Sequence, residues 1–263
     1  MGMIIQNIEG QIVTWGLDYP PCNEIGEEFV EDLSRCVDVL ETRDDLRACV
    51  LYSRRDEGFC AGADLRRLYQ EMQSMDKEQY VKKLRNFLQK IHQLFLRLDQ
   101  CQKPIVTLVH GLCFGGGFEL ALCSDIIVAQ DNARFAFPEL RLGIIPCFGG
   151  IPRLSRDVGN AVVRDLLLTG RSINASKAKE IGLVSQVVKE ASAMRMAMSL
   201  AKQMTKFDPY ALKSCKAFMK QDLTSALDKE LELAMKLFQR DQVLESLQKF
   251  NADQGPLPYL PTS

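Results

Sequence analysis

Histidine is nearly missing from this chain: His92 and His110 are the only two in 263 residues. That scarcity argues against histidine metal sites, and no metal-ligand spacing appears among the other residues. No serine stands in a nucleophile-elbow motif, so a serine–histidine relay is not expected. No C-x-x-C pair and no G-x-G-x-x-G fingerprint occur, which removes zinc ribbons and dinucleotide binding from the expected functions. Net charge is also absent. With 33 Lys and Arg against 34 Asp and Glu, the formal value of −1 gives no reason to expect nucleic acid or an anionic membrane as partner. No apolar run approaches the ~20 residues that span a bilayer. Residues Met1 to Asn7 lack a secretory leader pattern, and Gln6 spoils a myristoylation motif, so a cytoplasmic location is expected.

Cysteine, by contrast, is plentiful. The nine are odd in number and scattered among apolar neighbours, so they read as buried free thiols rather than a disulfide framework. Length and composition suit a single α/β protein with a large core. Met3–Ile8 and Gln11–Leu17 read as a hairpin across Glu9-Gly10, and Ile25, Phe29, Leu33, Val37 and Leu40 mark an amphipathic helix. Leu46–Tyr52 and the wholly apolar Pro104–Val109 read as buried strands, with a long helix between them from Gln79 to Leu98. His92 on that helix is expected at a surface or interface, and His110 is expected to be structural. Strands are expected again at Ile126–Ala129 and Arg134–Phe137. From about Gly159 the pattern turns helical, with segments at Ala161–Leu168, Ser176–Ile181, Ala191–Lys206, Pro209–Gln221 and Ala226–Lys249. The proline-bearing end, Gly255 to Ser263, is expected to trail along the surface.

Two glutamates carry the strongest chemical signal. Glu119 ends the motif Gly115-Gly116-Gly117-Phe118-Glu119, where a glycine run after a buried strand enters a helix. Glycines there let backbone approach a ligand closely, and a helix start leaves N–H groups unpartnered beside the positive end of the dipole. Glu139 closes Phe135-Ala136-Phe137-Pro138-Glu139, again in apolar text. Desolvation raises a carboxylate's pKa and so does a second carboxylate, so two facing one cavity would divide into an ionised base and a protonated acid. A third motif, Phe59-Cys60-Ala61-Gly62-Ala63-Asp64, adds another small-residue turn.

Taken with His110-Gly111, Asp125, Gly143-Ile144-Ile145-Pro146, Gly149-Gly150, Leu168-Thr169-Gly170 and Ala175 through Val184, these motifs resemble the crotonase (enoyl-CoA hydratase/isomerase) family from Ile4 to about Val188. The resemblance implies an α/β spiral of repeated ββα units (residues 1–195) and a helical C-terminal trimerisation region (196–263). It also implies a homotrimer or dimer of trimers. The implied ligand is an acyl-CoA thioester, with no separate cofactor, since CoA is part of the substrate, and with no metal. Ala61 and Gly116 would supply the oxyanion-hole amides, Glu119 and Glu139 the catalytic carboxylates. Gly62, Ala63, Asp64, Arg66, Gly115 and Phe148 would contact substrate.

Family hydratases keep glutamate at both carboxylate positions, so the resemblance favours addition of water to a 2-enoyl-CoA, or the reverse dehydration. The alternatives are an isomerase or decarboxylase of the same family, or a non-catalytic protein that binds acyl-CoA or acyl carrier on this fold. Three departures bear on substrate: the charged stretch Tyr69–Gln89 in the region that walls the acyl pocket, the bulky Cys147-Phe148 before Gly149, and Asn251-Ala252-Asp253 after Phe250 in place of a phosphate-binding lysine. Lys249, Arg66 and Arg67 are the remaining candidates for the CoA phosphates.

Overall fold

The structure, a computed structural model, describes residues 3–220 and 222–252. The chain opens with the expected hairpin, β1 (Ile4–Glu9) antiparallel to β2 (Ile12–Leu17), followed by helix α1 (Glu27–Thr42). Then one pattern runs three times. Strand β3 (Ala48–Ser53) is followed by β4 (Gly58–Cys60) and helices α2 (Leu65–Ser74) and α3 (Lys77–Gln100). Strand β5 (Ile105–Val109) is followed by β6 (Leu112–Phe114) and α4 (Gly116–Ala121). Strand β7 (Ile126–Gln130) is followed by β8 (Arg134–Ala136) and a 3-10 turn at Glu139–Leu142. In each repeat the first strand joins a large, mostly parallel sheet ordered β1-β2-β3-β5-β7-β10, and the second joins a small sheet ordered β4-β6-β8-β9. These are the ββα units that the resemblance implies.

Helices α5 (Gly150–Val158) and α6 (Asn160–Thr169), strand β9 (Ile173–Asn174), α7 (Ala175–Glu180) and β10 (Gln186–Val188) close the two sheets. Strand β5 shows why its text carries no alternation. Its Ile105 and Val109 face the main core with Trp15 and Phe95, while Val106 and Leu108 face a second layer, so both faces are dry. That second layer is α8 (Glu190–Met204), which lays Ala193, Ala197 and Ala201 on the sheet at i, i+4, i+8 spacing. The boundary expected at residue 195 therefore falls inside a helix that packs on the sheet core.

Three helices follow: α9 (Pro209–Met219), α10 (Thr224–Leu237) and α11 (Asp241–Ala252). The single helix expected over Ala226–Lys249 is thus two, broken after Leu237. The remaining elements carry no expectation from the sequence: β4, β6 and β10 run three residues each, too short for a period, and α2 and α5 are short helices. The tail from Gly255 to Ser263 lies outside the described residues. No helix among the described residues is long and apolar enough to cross a membrane. Eight cysteines are buried, Cys215 is exposed, and all nine are free.

Candidate active site

The second strands of the repeats bring the three motifs together. Strands β4, β6 and β8 lie side by side in parallel, so the turns that leave their C-terminal ends converge. Those turns carry Ala61–Asp64, Gly115–Glu119 and Pro138–Glu139. They border one cavity of about 520 Å³. Nine of the ten expected site residues line it: Ala61, Gly62, Ala63, Asp64, Gly115, Gly116, Glu119, Glu139 and Phe148. Arg66 does not. Its guanidinium stands 5.7 Å over the ring of Phe250, which does line the cavity.

The glycine run is required by sterics. Gly115 caps α4 at φ +51°, and a Cβ there would sit 2.5 Å from Glu139 Oε1. A Cβ on Gly116 would come within 2.5 Å of the Phe148 ring. The helix starts at Gly116, inside the glycine run and three residues before Glu119. Gly116 N–H therefore belongs to the first turn, whose amides have no intrahelical partner.

One expected amide is engaged elsewhere. Ala61 N–H donates to the Cys22 carbonyl at 2.9 Å, so it is not open to a ligand. The amide turned toward Gly116 is that of Ala63. Residues Gly62 and Asp64 use their carbonyl and N–H on Ile25, which turns the Ala63 N–H to the opposite side. Ala63 N lies 3.4 Å from where a Cβ on Gly116 would be, and Gly116 N lies 3.2 Å from the corresponding point on Gly62. The pair of neighbouring amides is thus Ala63 and Gly116. The Asp64 side chain accepts the Arg67 N–H at 3.0 Å and so caps α2.

Glu119 is 1% exposed, and its Oε1 accepts hydrogen bonds from the Phe148 N–H at 2.8 Å and the Gly150 N–H at 2.7 Å. Its carboxyl is nevertheless pushed well above the usual carboxylate range, by burial first, then by the charges of Glu230 and Glu139. The magnitudes explain the direction: each N–H bond to a charged group gives about 1.5–3 kcal/mol, against a desolvation cost of several kcal/mol and two like charges. Burial likewise pushes Glu139 up to about 8, with Glu230 adding to it, and its buried Oε2 has no hydrogen-bond partner among the described residues. Two carboxylates so raised beside one cavity hold protons to higher pH than exposed carboxyls do. Such a pair, with two amides aimed at one point, can move protons beside a carbonyl while its oxygen takes up charge.

The rest of the cavity divides by polarity. Leu68, Leu84, Phe87 and Leu88 from α2 and α3, with Phe148, form an apolar wall. Phe148 sits edge-on to Phe87 and Phe95, at centroid distances of 6.3 and 5.9 Å. The charged Tyr69–Gln89 stretch is therefore helix, with its apolar stripe turned to the cavity. Within the stretch Lys83 pairs with Glu71 at 2.8 Å and Arg85 with Glu232 at 2.6 Å, and just before it Arg67 pairs with Glu27 and Glu71. Lys249, which also lines the cavity, makes no ion pair among the described residues.

His92 and Glu230 are the residues that sequence reasoning misplaced or missed. His92 is buried, with Nε2 2.8 Å from the Cys147 carbonyl oxygen and 3.3 Å from Glu230 Oε1, not at a surface. His110 Nε2 meets the Arg55 carbonyl, a structural contact. The signal for both misplaced residues was periodicity. His92 continues Leu84 and Leu88 at i+4, and Glu230 stands on the stripe Leu227, Leu231, Ala234. A polar residue on an apolar stripe marks a buried one.

A buried carboxylate pair beside paired backbone amides in an α/β spiral defines a class of acid–base site. The family model for enoyl-CoA hydratase/isomerase matches residues 7–259, and the chain belongs to that family. It is similar to the 2,3-dehydroadipyl-CoA hydratase of Escherichia coli, 33% identical over 239 residues (90% of this chain, 89% of the relative). It is also similar to the short-chain-enoyl-CoA hydratase of Clostridium acetobutylicum, 31% identical over 236 residues (89% and 87%). Among solved structures, an enoyl-CoA hydratase from Bacillus halodurans shares the fold at TM-score 0.86 and 22% identity, covering 94% of this chain and 99% of that one.

Proposed function

We propose that the protein is an enoyl-CoA hydratase that adds water across the 2,3 double bond of a 2-enoyl-CoA. The observation that carries this reading is the meeting of Glu119, Glu139 and the Ala63 and Gly116 amides at one cavity in a chain of this family. The thioester oxygen accepts the Ala63 and Gly116 N–H groups, and each such donor contributes about 3–4 kcal/mol when the oxygen becomes an enolate. Glu119, held by two amides that favour its ionised form, takes a proton from water as the water oxygen bonds to C3. Glu139, whose open Oε2 favours the acid, gives its proton to C2. The enolate collapses, and exchange of one proton between the carboxyls through the product or solvent restores the start. The Leu68–Leu88 wall takes the acyl chain, and Lys249, with Arg66 and Arg67, serves the CoA phosphates.

The test is a substrate panel of crotonyl-CoA, longer 2-enoyl-CoAs, a 3-enoyl-CoA and a malonyl-type thioester, followed at the enoyl absorbance. Loss of absorbance with 2-enoyl-CoAs supports the reading. Appearance of absorbance from the 3-enoyl-CoA alone makes the protein an isomerase, consumption of the malonyl-type ester alone makes it a decarboxylase, and silence throughout makes it a binding protein.

A further inference from the structure

The segment Cys147–Gly150 is gripped from both sides. On the cavity side Glu119 Oε1 accepts the Phe148 and Gly150 N–H groups. From behind, Glu230 Oε1 accepts the intervening Gly149 N–H at 2.7 Å. His92 Nε2 faces two acceptors, the Cys147 carbonyl and Glu230 Oε1, so it carries the hydrogen and donates. Arg153 Nη1 donates to the Phe148 carbonyl at 2.9 Å. Three successive amides thus alternate between two carboxylates, one facing the cavity and one not. Glu230 is 5% exposed and does not line the cavity, and its Oε2 has no hydrogen-bond partner among the described residues.

If Glu230 only braced Gly149, a glutamine would serve as well without burying charge beside Glu119. We infer that Glu230, steadied by His92, is a positioning residue for Glu119: it fixes the loop that presents two amides to that carboxylate and sets a further buried carboxylate behind the Glu119–Glu139 pair. The groups facing Glu119 are Glu230 on α10, Glu139 on the 3-10 turn and the buried Cys147 thiol, with His92 on α3 and Arg153 on α5 behind the loop. Glu230 and Glu139 both raise the Glu119 carboxyl, Glu230 the more of the two. Glu230 acts in the same direction on Glu139.

This inference rests on the hydratase reading for its kinetic consequence but not for its titration. In Glu230→Gln, which keeps an oxygen for Gly149, both limbs of the pH profile of kcat should move to lower pH by about one unit, with KM within about twofold of wild type. His92→Phe, which removes the donor that supports the Glu230 charge, should shift the profile the same way by less. A merely structural role predicts lower kcat with no shift, and an unmoved profile in folded Glu230→Gln would overturn the inference. Should that variant fail to fold, an unmoved profile in His92→Phe would do so. A second reading needs no turnover: the ¹³C-carboxyl titration of Glu119 in labelled full-length protein, assigned with Glu119→Gln. Its midpoint should fall by about one unit in Glu230→Gln, and superimposable curves refute the inference. A wild type that hydrates no enoyl-CoA, but whose Glu119 titration moves, refutes the hydratase reading and leaves this one standing.

Discussion

Glu119 and Gly150 define each other. The Gly150 amide lies 2.7 Å from Glu119 Oε1, and a Cβ on Gly150 would stand 2.6 Å from Glu119 Cγ. The first residue of α5 must therefore lack a side chain for the carboxylate to sit where it does. Gly150→Ala should displace Glu119, lowering kcat at least about tenfold, with a stability loss of about 1–3 kcal/mol from the overpacked core. Hydration kinetics with urea melts check this, and wild-type kcat in the variant would contradict it.

Gly116→Val tests the amide pair. The new side chain would meet Phe148, whose ring packs edge-on against Phe87 and Phe95. Turnover should be lost while circular dichroism stays native. Unchanged kcat in the folded variant would mean that the thioester oxygen binds elsewhere.

Much of this arrangement was legible in the sequence, because the motifs sit at turns whose glycines and small residues are dictated by close approach. Gly115 to Glu119 is such a case. The choice of Ala63 over Ala61 was not legible, since two alanines flanking Gly62 differ only in which way a bridge to Ile25 turns their amides. The short strands β4 and β6 escaped for a related reason: three residues hold no period, and their pairing is set by the sheet. The role of Glu230 needs tertiary contact, because its partners Gly149 and His92 lie 81 and 138 positions away in sequence (230 − 149 and 230 − 92). Its place on an apolar stripe was readable all the same.

Stability should depend on pH through Glu139. Its carboxyl stands at about 8 in the folded chain against 4.5 in its ordinary state, so the folded form binds the extra proton between those values. Stability therefore falls as pH rises from about 4.5 to about 8. Glu139→Gln should flatten that decline, with a ceiling of about 5 kcal/mol at the alkaline end. Urea midpoints at pH 5 and pH 8 measure it, and parallel declines in both proteins would contradict it.

Assembly is expected to use α9. In the helical C-terminal region, Leu223, Leu227 and Leu231 are buried within the chain itself. Phe218 is 93% exposed, and Tyr210 and Met219 are exposed beside it on the same helix. Large apolar side chains left this open together mark an association surface. Light scattering should give a trimer or a multiple of three, and Phe218→Asp should shift it toward monomer. A wild-type monomer at micromolar concentration would contradict the expectation.

The most direct test of the account is hydration by Glu119→Gln, Glu139→Gln and the double variant. Each single change removes one of two proton-transfer groups acting on one water, and such groups contribute about 10²–10⁴-fold in rate. Residues that act as a unit are not additive, so the double variant should be little slower than either single one. Affinity for a saturated acyl-CoA should stay within a few-fold, because binding rests on the Ala63 and Gly116 amides and the phosphate contacts. Severe loss at both positions with retained affinity is the predicted result. A mild loss at either position on every 2-enoyl-CoA tested would contradict the shared-water mechanism and point to chemistry that needs one carboxylate alone.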